Sequence, residues 1–293
     1  MIMFLFYIFM FFLGLIAGSF LNVVICRLET GETMVSGRSH CPRCGHILAW
    51  YDLVPVFSFL MLKGKCRYCG KPISIQYPMV EMATGILFLS IFNYQFSIFN
   101  EFSISNFQFL NSAFNFFYFL LSTFYFLFII SSLIIIFVYD LRHYIIPDKI
   151  VYPAIIVSVI YSLFENLNFG HWDLFGNWKL EIGNLITLFN PFIAAILTGA
   201  FFLSIVLITK GAGMGGGDVK IAFLMGLILG WPKVLAALFL AFTAGAIYGI
   251  ILILMRKKTL KSKVPFGPFL VAGTLVALFW GGEIMRWYFG YLF

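Results

Sequence analysis

The sequence predicts an all-α, polytopic integral membrane protein with about eight transmembrane helices, an external N-terminus and one small zinc-stapled cytoplasmic loop domain. Three observations predict this fold class: the composition, the length of the apolar runs and the placement of the basic residues. Of the 293 residues, 62% are hydrophobic and 11% are charged, against roughly 45–50% and about 25% in a soluble domain. A soluble chain of this length cannot bury so much apolar surface, so lipid must solvate most of it.

Apolar runs long enough to cross a membrane recur along the chain. A helix needs about 20 residues to cross about 30 Å of hydrocarbon. The first run continues without a small-residue cleavage site into Asn22–Arg27, which favours a retained helix over a removed signal peptide. The sixth run is short, and we expect its neighbours to bury part of it. The predicted spans are 3–26, 78–96, 113–139, 149–165, 185–209, 219–231, 233–254 and 264–289.

The basic residues set the predicted orientation, because cytoplasmic connections of membrane proteins are enriched in Lys and Arg. Four connections hold 16 of the 19 Lys and Arg residues, and all four fall on one side if the N-terminus is outside. That side is predicted to be the cytoplasmic face of the inner membrane. The net charge of +7 follows from this topology and from attraction to anionic membrane lipid, so it requires no nucleic-acid partner. The basic connections are 27–77, 255–263, the one containing Arg142 and Lys149, and the one containing Lys210 and Lys220.

The segment 27–77 contains a candidate metal site. It separates a first transmembrane helix, 1–26, from a membrane domain, 78–293. Paired C-x-x-C elements suit tetrahedral Zn²⁺, because each pair brings two thiolates to one metal and the glycine after it permits a tight turn. Four thiolates close the zinc shell, so the metal is expected to be structural, in a loop too small to fold without it. The predicted ligands are Cys41, Cys44, Cys66 and Cys69.

Other readings of this segment stay open. His40 and His46 are spare candidate ligands. Two structural disulfides are disfavoured because the cytosol is reducing. Cys26, at the end of the first span, is expected to be a packed residue at the membrane interface.

Asp140 is a candidate catalytic residue because of where it lies. It follows the apolar run Ser131–Tyr139 and therefore ends a helix, where the helix dipole opposes a carboxylate. An acid in such a place at the lipid boundary is a functional candidate. An ion pair with Arg142 or His143 is the structural alternative. Asp148, by contrast, follows Pro147 just before an apolar run and is predicted to be a helix N-cap.

Asp218 is the second candidate. It ends the run Gly211-Ala212-Gly213-Met214-Gly215-Gly216-Gly217, and so many glycines indicate a backbone that approaches something closely or adopts positive φ. Capping of the following helix is the structural alternative. A phosphate-binding loop is disfavoured because the Lys-Ser/Thr ending is missing.

The predicted topology brings the two aspartates together, because the third and fifth spans both run inwards. Two carboxylates in one partly desolvated site cannot both ionise cheaply, so they share a proton and can act as acid and base. This is the arrangement of aspartic proteases. No Ser/His/Asp set and no H-E-x-x-H motif competes with it. The residues therefore predict an aspartic peptidase in 78–293, with Asp140 and Asp218 as its catalytic pair.

The sequence resembles a known family, the prepilin peptidases or type IV leader peptidases of bacterial pilus and type II secretion systems. Seven motifs match in order over nearly the whole chain. They are Gly18-Ser19-Phe20-Leu21-Asn22-Val23-Val24 with Arg27-Leu28; Cys41-Pro42-Arg43-Cys44-Gly45; Cys66-Arg67-Tyr68-Cys69-Gly70; Tyr77-Pro78-Met79-Val80-Glu81 with Thr84-Gly85; Asp140-Leu141-Arg142-His143 with Ile146-Pro147-Asp148; Gly213-Met214-Gly215-Gly216-Gly217-Asp218-Val219-Lys220; and Val264-Pro265-Phe266-Gly267-Pro268-Phe269.

The resemblance implies a G-x-G-D type aspartic endopeptidase that acts on prepilins and pseudopilins. It would cut their short basic leader after a Gly and before the apolar N-terminal helix, with Asp140 and Asp218 as the catalytic pair. Members with both C-x-x-C pairs typically also N-methylate the new N-terminus, usually Phe, with S-adenosylmethionine. In the family the Gly before the second pair is tied to methylation, and here that position is Gly64.

Two rival functions stay open on the sequence. A presenilin-like intramembrane protease also shows Tyr-Asp and G-x-G-D, although Arg142, Lys210 and Lys220 place the acids of this chain at the interface. A proton-coupled transporter with a structural zinc site would require acids spread across the membrane depth.

Overall fold

The computed structural model describes residues 2–33, 37–105, 111–166, 182–211, 214–256 and 264–290. Within those ranges the chain is helical, with a short 3-10 turn at Trp50–Leu53 and no named strand. This confirms the predicted all-α class. The helices are α1 Ile2–Thr30, α2 Phe57–Met61, α3 Gln76–Ser105, α4 Asn111–His143, α5 Asp148–Asn166, α6 Ile182–Ile208, α7 Gly216–Leu229, α8 Lys233–Leu254 and α9 Gly267–Gly290.

Each of the eight predicted spans coincides with one of these helices. Five of them are long and apolar enough to cross a membrane: α1, α4, α6, α8 and α9, over Met3–Thr30, Phe116–His143, Phe189–Ile208, Lys233–Leu254 and Gly267–Tyr288. The protein is therefore a multi-pass membrane protein. That α3, α5 and α7 also cross the membrane, and that the N-terminus is outside, remain predictions.

The chain forms two compact units, Met1–Ile135 and Ile136–Phe293. The division falls inside α4, whose last turns belong to the second unit. The sequence predicts a different division, between a loop domain 27–77 and a membrane domain 78–293, and that division stays a prediction.

In the first unit, α1 and α3 pack closely along a line of small residues. A Cβ on Gly18 would lie 2.6 Å from the Cα of Glu81, and one on Gly14 would lie 2.7 Å from the Cα of Gly85. The two backbones therefore touch, as small residues allow between membrane helices. The Asn22 amide fastens the same pair by donating to the Tyr77 carbonyl, 3.0 Å away. The motifs around Gly18 and Gly85 are thus the two sides of one helix–helix contact.

In the second unit, α7 is the central helix. It packs against α5, α6 and α9, and most of its side chains are buried. Its 14 residues extend only about 21 Å at 1.5 Å per residue, less than the hydrocarbon thickness. The expectation that neighbours bury this short helix is confirmed. Its burial explains how the acidic residue near its start is held in place.

Candidate active site and metal site

Among the residues that the structure describes, two groups can carry chemistry, a thiol cluster in the first unit and a carboxylate pair in the second. The ligand atoms of Cys41, Cys44, Cys66 and Cys69 all lie within 4.8 Å of one another. Four thiolates around one Zn²⁺ at about 2.3 Å would be about 3.8 Å apart, so the cluster fits a tetrahedral metal. The predicted cysteine site is confirmed as a candidate metal site. In the described residues, neither His40 nor His46 belongs to the group.

The two cysteine pairs adopt the same local geometry. In the first, the amide of Cys41 donates to the His46 carbonyl and the amide of Gly45 donates to the Cys41 carbonyl, at 2.9 and 2.8 Å. In the second, Cys66 and Gly70 make the equivalent bonds to Lys71 and Cys66, both at 2.9 Å. These turns need glycine as their last residue, where φ is +70° at Gly45 and +66° at Gly70.

The thiols of the cluster differ in acidity. Against the backbone hydrogen bond at His46, burial and the neighbouring thiols of Cys41 and Cys69 raise the pKa of Cys44 to about 11. The backbone of Cys69, and then that of Tyr68, lowers the pKa of the Cys66 thiol to about 7, against the opposing effect of burial. A thiol that ionises near neutral pH favours metal binding, because thiolates are the ligands.

A polar cluster supports the second cysteine pair. Arg67 donates to Asp52 at 2.8 Å and the Tyr68 hydroxyl donates to it at 3.1 Å. Burial opposes ionisation of Asp52, but these hydrogen bonds outweigh it and lower its pKa. The Tyr68 ring also lies 3.6 Å from that of His46, so the two cysteine pairs contact each other through these rings. His46 thus packs in the loop beside the thiols.

Gly64 also has a local reason to be glycine. Its φ is +69°, and a Cβ there would lie 3.2 Å from the Phe59 ring. Its amide donates to the Phe59 carbonyl at 2.9 Å, which ends α2. This turn leads directly into the second cysteine pair, so a side chain at Gly64 would disturb the backbone just before Cys66. Its role in methylation stays a prediction.

In the second unit, Asp140 lies in the last turns of α4, as predicted, and is 4% exposed. The backbone of Gly267, at the start of α9, hydrogen-bonds to its carboxylate. The contact is so close that a Cβ on Gly267 would lie 2.5 Å from the Asp140 Oδ2. Oδ2 itself is buried and has no hydrogen-bond partner. An acceptor left unsatisfied in this way is costly unless the site uses it.

Asp218 lies in the first turn of α7 and is 8% exposed. Its Oδ2 accepts the amide of Gly215 at 3.3 Å, so the helix-capping alternative is correct as a local contact. The glycine beside it is required for packing, since a Cβ on Gly217 would lie 2.8 Å from the Ile146 side chain. The glycine run therefore allows the start of α7 to meet the α4–α5 connection.

The structure brings the two predicted acids together. The Asp140 carboxylate is near enough to Asp218 for their charges to repel each other. Both are buried, and each receives a backbone amide from a glycine, Gly267 for Asp140 and Gly215 for Asp218. A pair of this kind holds one proton more readily than none, because two buried like charges are costly. It can therefore provide an acid and a base at one place.

Comparison with known proteins agrees with this geometry. Residues 12–95 match the model of the bacterial peptidase A24 N-terminal domain, and residues 127–250 match that of the type IV leader peptidase family. A prepilin leader peptidase/N-methyltransferase of Bacillus subtilis is 30% identical over 282 residues, which cover 95% of this chain and 96% of the relative. The chain belongs to the type IV leader peptidase family.

Other family members align over a similar extent. The prepilin leader peptidase/N-methyltransferases of Aeromonas hydrophila and Pseudomonas aeruginosa are 28% and 29% identical, over 95% and 94% of this chain and 92% and 91% of theirs. No solved structure matches. The first matched region lies in the first compact unit and contains the cysteine loop. The second matched region lies mostly in the second unit and contains the carboxylate pair.

Asp148, which the sequence predicts to be a helix N-cap, pairs with a basic residue of another helix. Asp148 is the first residue of α5, and its carboxylate pairs with the Lys220 ammonium at 2.6 Å. The predicted N-cap position is thus displaced by one residue. The side chains are 56% and 31% exposed, so this is a partly solvated ion pair between α5 and α7.

Two contacts in this leader peptidase were not predicted from the sequence. Gly267 was noted for its motif and not for its contact with Asp140. Glu81 lies near the start of the second predicted span, where a carboxylate is expected to be stabilised by the helix N-terminus. It is instead 7% exposed and accepts the amide of Val56 at 2.7 Å. The signal for the second contact was an acid, Glu81, in an otherwise apolar helix. Its partner, Val56, lies in the loop, so the sequence did not identify it.

Proposed function

We propose that this protein cuts the basic leader from type IV prepilins and pseudopilins at the cytoplasmic face of the inner membrane, and then N-methylates the new N-terminus. The observation that carries the peptidase proposal is the buried pair Asp140 and Asp218, each held by a glycine amide. The names of the relatives, prepilin leader peptidase/N-methyltransferase, support both activities and the substrate class. A presenilin-like protease and a transporter are not favoured, because the chain aligns end to end with these relatives.

Cleavage follows the aspartic protease scheme. The ionised carboxylate takes a proton from a water molecule, whose oxygen attacks the carbonyl carbon of the scissile peptide. The protonated carboxylate donates its proton to the carbonyl oxygen. When the tetrahedral intermediate collapses, the C–N bond breaks, and the leaving nitrogen takes a proton from the dyad. Asp140 and Asp218 together supply both steps, and no assignment of acid and base to one or the other is required.

The substrate chemistry fits this position. A prepilin is one apolar helix with a basic leader, so its scissile bond lies at the inner membrane interface. Asp140 ends the membrane helix α4, and Asp218 begins α7. At Gly215 and Gly216 nothing crowds the place where a side chain would lie, which leaves backbone at this edge for an extended substrate strand to approach. The basic flanking residues Arg142 and Lys210 support a cytoplasmic location.

The cysteine loop is proposed as the methyltransferase part. Cys41, Cys44, Cys66 and Cys69 would hold one structural zinc, which closes its coordination shell and fixes the two turns. S-adenosylmethionine would supply an electrophilic methyl group to the free amine that cleavage creates. Gly64, at the entry to the second turn, is proposed to be needed for that activity because its backbone shape excludes a side chain.

The test uses the purified full-length protein in liposomes with a prepilin, with and without S-adenosylmethionine, and measures product masses. We expect loss of the leader in both reactions and one added methyl group only with the donor. Asp140→Asn and Asp218→Asn should abolish cleavage. Asp148→Asn, which removes the partly solvated carboxylate that pairs with Lys220, should retain cleavage. Cleavage at the wild-type rate by either of the first two variants would refute the dyad.

A further inference from the structure

The cysteine loop presents an apolar surface that no described residue of the first unit covers. Phe57, Leu60 and Met61 of α2 are 55%, 64% and 83% exposed. Their spacing of three and four residues places them on one side of the helix turn. Phe59, between them, points the other way and packs against Gly64. We call Phe57, Leu60 and Met61 the apolar face.

The neighbouring turn shows the same property. Trp50, at the start of the 3-10 turn, is 79% exposed. Large apolar side chains that are exposed together mark a site of contact with a partner or with a membrane. Trp in particular is enriched at the level of lipid headgroups, where its ring is partly apolar and partly polar.

A hydrogen bond fixes the depth of this segment relative to the membrane helices. The Val56 amide, next to Phe57, donates to Glu81. Glu81 lies five residues beyond Gln76, the start of α3, which is about 7.5 Å along the helix axis at 1.5 Å per residue. It lies within the predicted span 78–96 and against Gly18 of α1. The loop therefore folds back along the helix pair to a level inside the predicted edge of the bilayer.

The charge of the segment matches a lipid surface. Between residues 50 and 75 the basic residues are Lys63, Lys65, Arg67 and Lys71, and the acidic residue is Asp52. Asp52 is neutralised by Arg67. Lys63 and Lys65 follow the apolar face directly and are exposed. Basic residues at a membrane surface attract anionic headgroups, with about 1 kcal/mol each. A prepilin leader is basic, so the same lysines would repel it.

We propose that α2 and the turn before it lie in the headgroup region of the membrane, with the apolar face inserted among acyl chains and Lys63 and Lys65 at anionic lipid phosphates. The loop is then an interfacial anchor, of the kind formed by short amphipathic segments that lie on a bilayer. The cysteine site is held at the membrane surface as a result. This proposal extends beyond the cleavage and methylation reactions and needs neither of them.

The test places a reporter on the apolar face of the full-length protein. Met61→Trp is reconstituted into vesicles of phosphatidylethanolamine and phosphatidylglycerol, and the fluorescence of wild type, with its six Trp residues, is subtracted. Quenching by lipids brominated on their acyl chains is compared with quenching by aqueous iodide. We expect strong quenching by the brominated lipid and weak quenching by iodide, in the absence of substrate.

Charge variants test the lipid preference. Adding Lys63→Glu and Lys65→Glu to the reporter should abolish most of the brominated-lipid quenching, whereas Lys149→Glu, the same change at an exposed lysine in the second unit, should leave it unchanged. Replacing phosphatidylglycerol with phosphatidylcholine should act like the double variant. Cysteine-bound metal is measured in each protein to show that the loop is folded, and Leu60→Ser in the reporter background provides a second variant without a charge change.

Three results would overturn the proposal. In the first, iodide quenches the reporter and the brominated lipid does not, so the face is in water. In the second, the reporter becomes protected only when prepilin is added, so the face binds substrate. In the third, protection grows with protein density in the vesicle, so the face binds a second copy of the chain.

Discussion

Single glycines control the geometry around the carboxylate pair. Gly267 contacts Asp140 so closely that no side chain fits between them, and Gly217 does the same against Ile146. The amides of Gly267 and Gly215 can approach the two carboxylates because neither glycine has a side chain in the way. The family's motifs around these glycines therefore have a direct steric explanation.

The substitution Gly267→Ala should impair cleavage. The new Cβ would lie 2.5 Å from the Asp140 Oδ2 and 3.3 Å from the Ile221 side chain, so the carboxylate or α9 must move. A displacement of about 1 Å of a catalytic group can reduce the rate by about 10²-fold. We expect a loss of that order in kcat/KM on a prepilin, with the protein still folded. Gly249→Ala is the control, because nothing lies within 4 Å of a Cβ there. Equal activity of the two variants would contradict this account.

At the scale of elements, α1 and α3 form one unit because their backbones are in contact. The contact joins two motifs that are distant in the sequence, and it positions Glu81 to receive the loop amide at Val56. Helix packing and loop placement are therefore coupled.

Gly18→Leu should disrupt this pair of helices. A Cβ at Gly18 already comes 2.6 Å from the Cα of Glu81, which is backbone and cannot give way without moving α3. Overpacking costs about 1–3 kcal/mol or more. Thermal unfolding in detergent should occur at a lower temperature than for Gly249→Leu, whose side chain has open space. If both variants unfold with wild type, the α1–α3 contact does not carry stability.

The two cysteine turns are expected to depend on a bound metal for their structure. Removing the metal with a chelator, or substituting Cys44→Ser, should expose the loop to proteases and abolish methylation. Cleavage should be less affected, because the thiols and the carboxylates lie in different compact units. Acid should have the same effect as chelation, because protonation of the thiolates releases the metal.

The measurement for this prediction combines bound zinc per chain, limited proteolysis and the two product masses. Ser58→Ala, at an intermediate position in the same loop, is the control for a small polar substitution. Equal loss of cleavage and methylation on metal removal would show that the thiol cluster supports the peptidase as well.

At the scale of the whole molecule, the basic connections make a prediction about orientation. Lys149→Cys, after α4, should react with a membrane-impermeant thiol reagent only in permeabilised cells. Lys233→Cys, at the start of α8, should react in intact cells. The five native cysteines give an internal background, since four of them lie in the loop predicted to be cytoplasmic. Labelling in the opposite pattern would invert the topology and move the proposed active site outside.

The sequence alone determined the features that depend on local pattern or on total composition. Apolar runs predict helices because each must satisfy its own backbone hydrogen bonds within lipid. Paired C-x-x-C elements predict a metal site because each short turn supplies two of the four thiolates. The acids Asp140 and Asp218 stood out because charge is rare in such a chain. In each case the information lies within a few residues or in the whole composition.

The tertiary structure decided the contacts between residues that are far apart in the chain. It showed that Asp140 meets Gly267, that Glu81 holds the loop at Val56, and that Asp148 pairs with Lys220. These depend on how close two helices can approach and on which buried groups satisfy each other's hydrogen bonds. Periodicity and propensity carry no signal for either quantity, because both are set only when the helices pack.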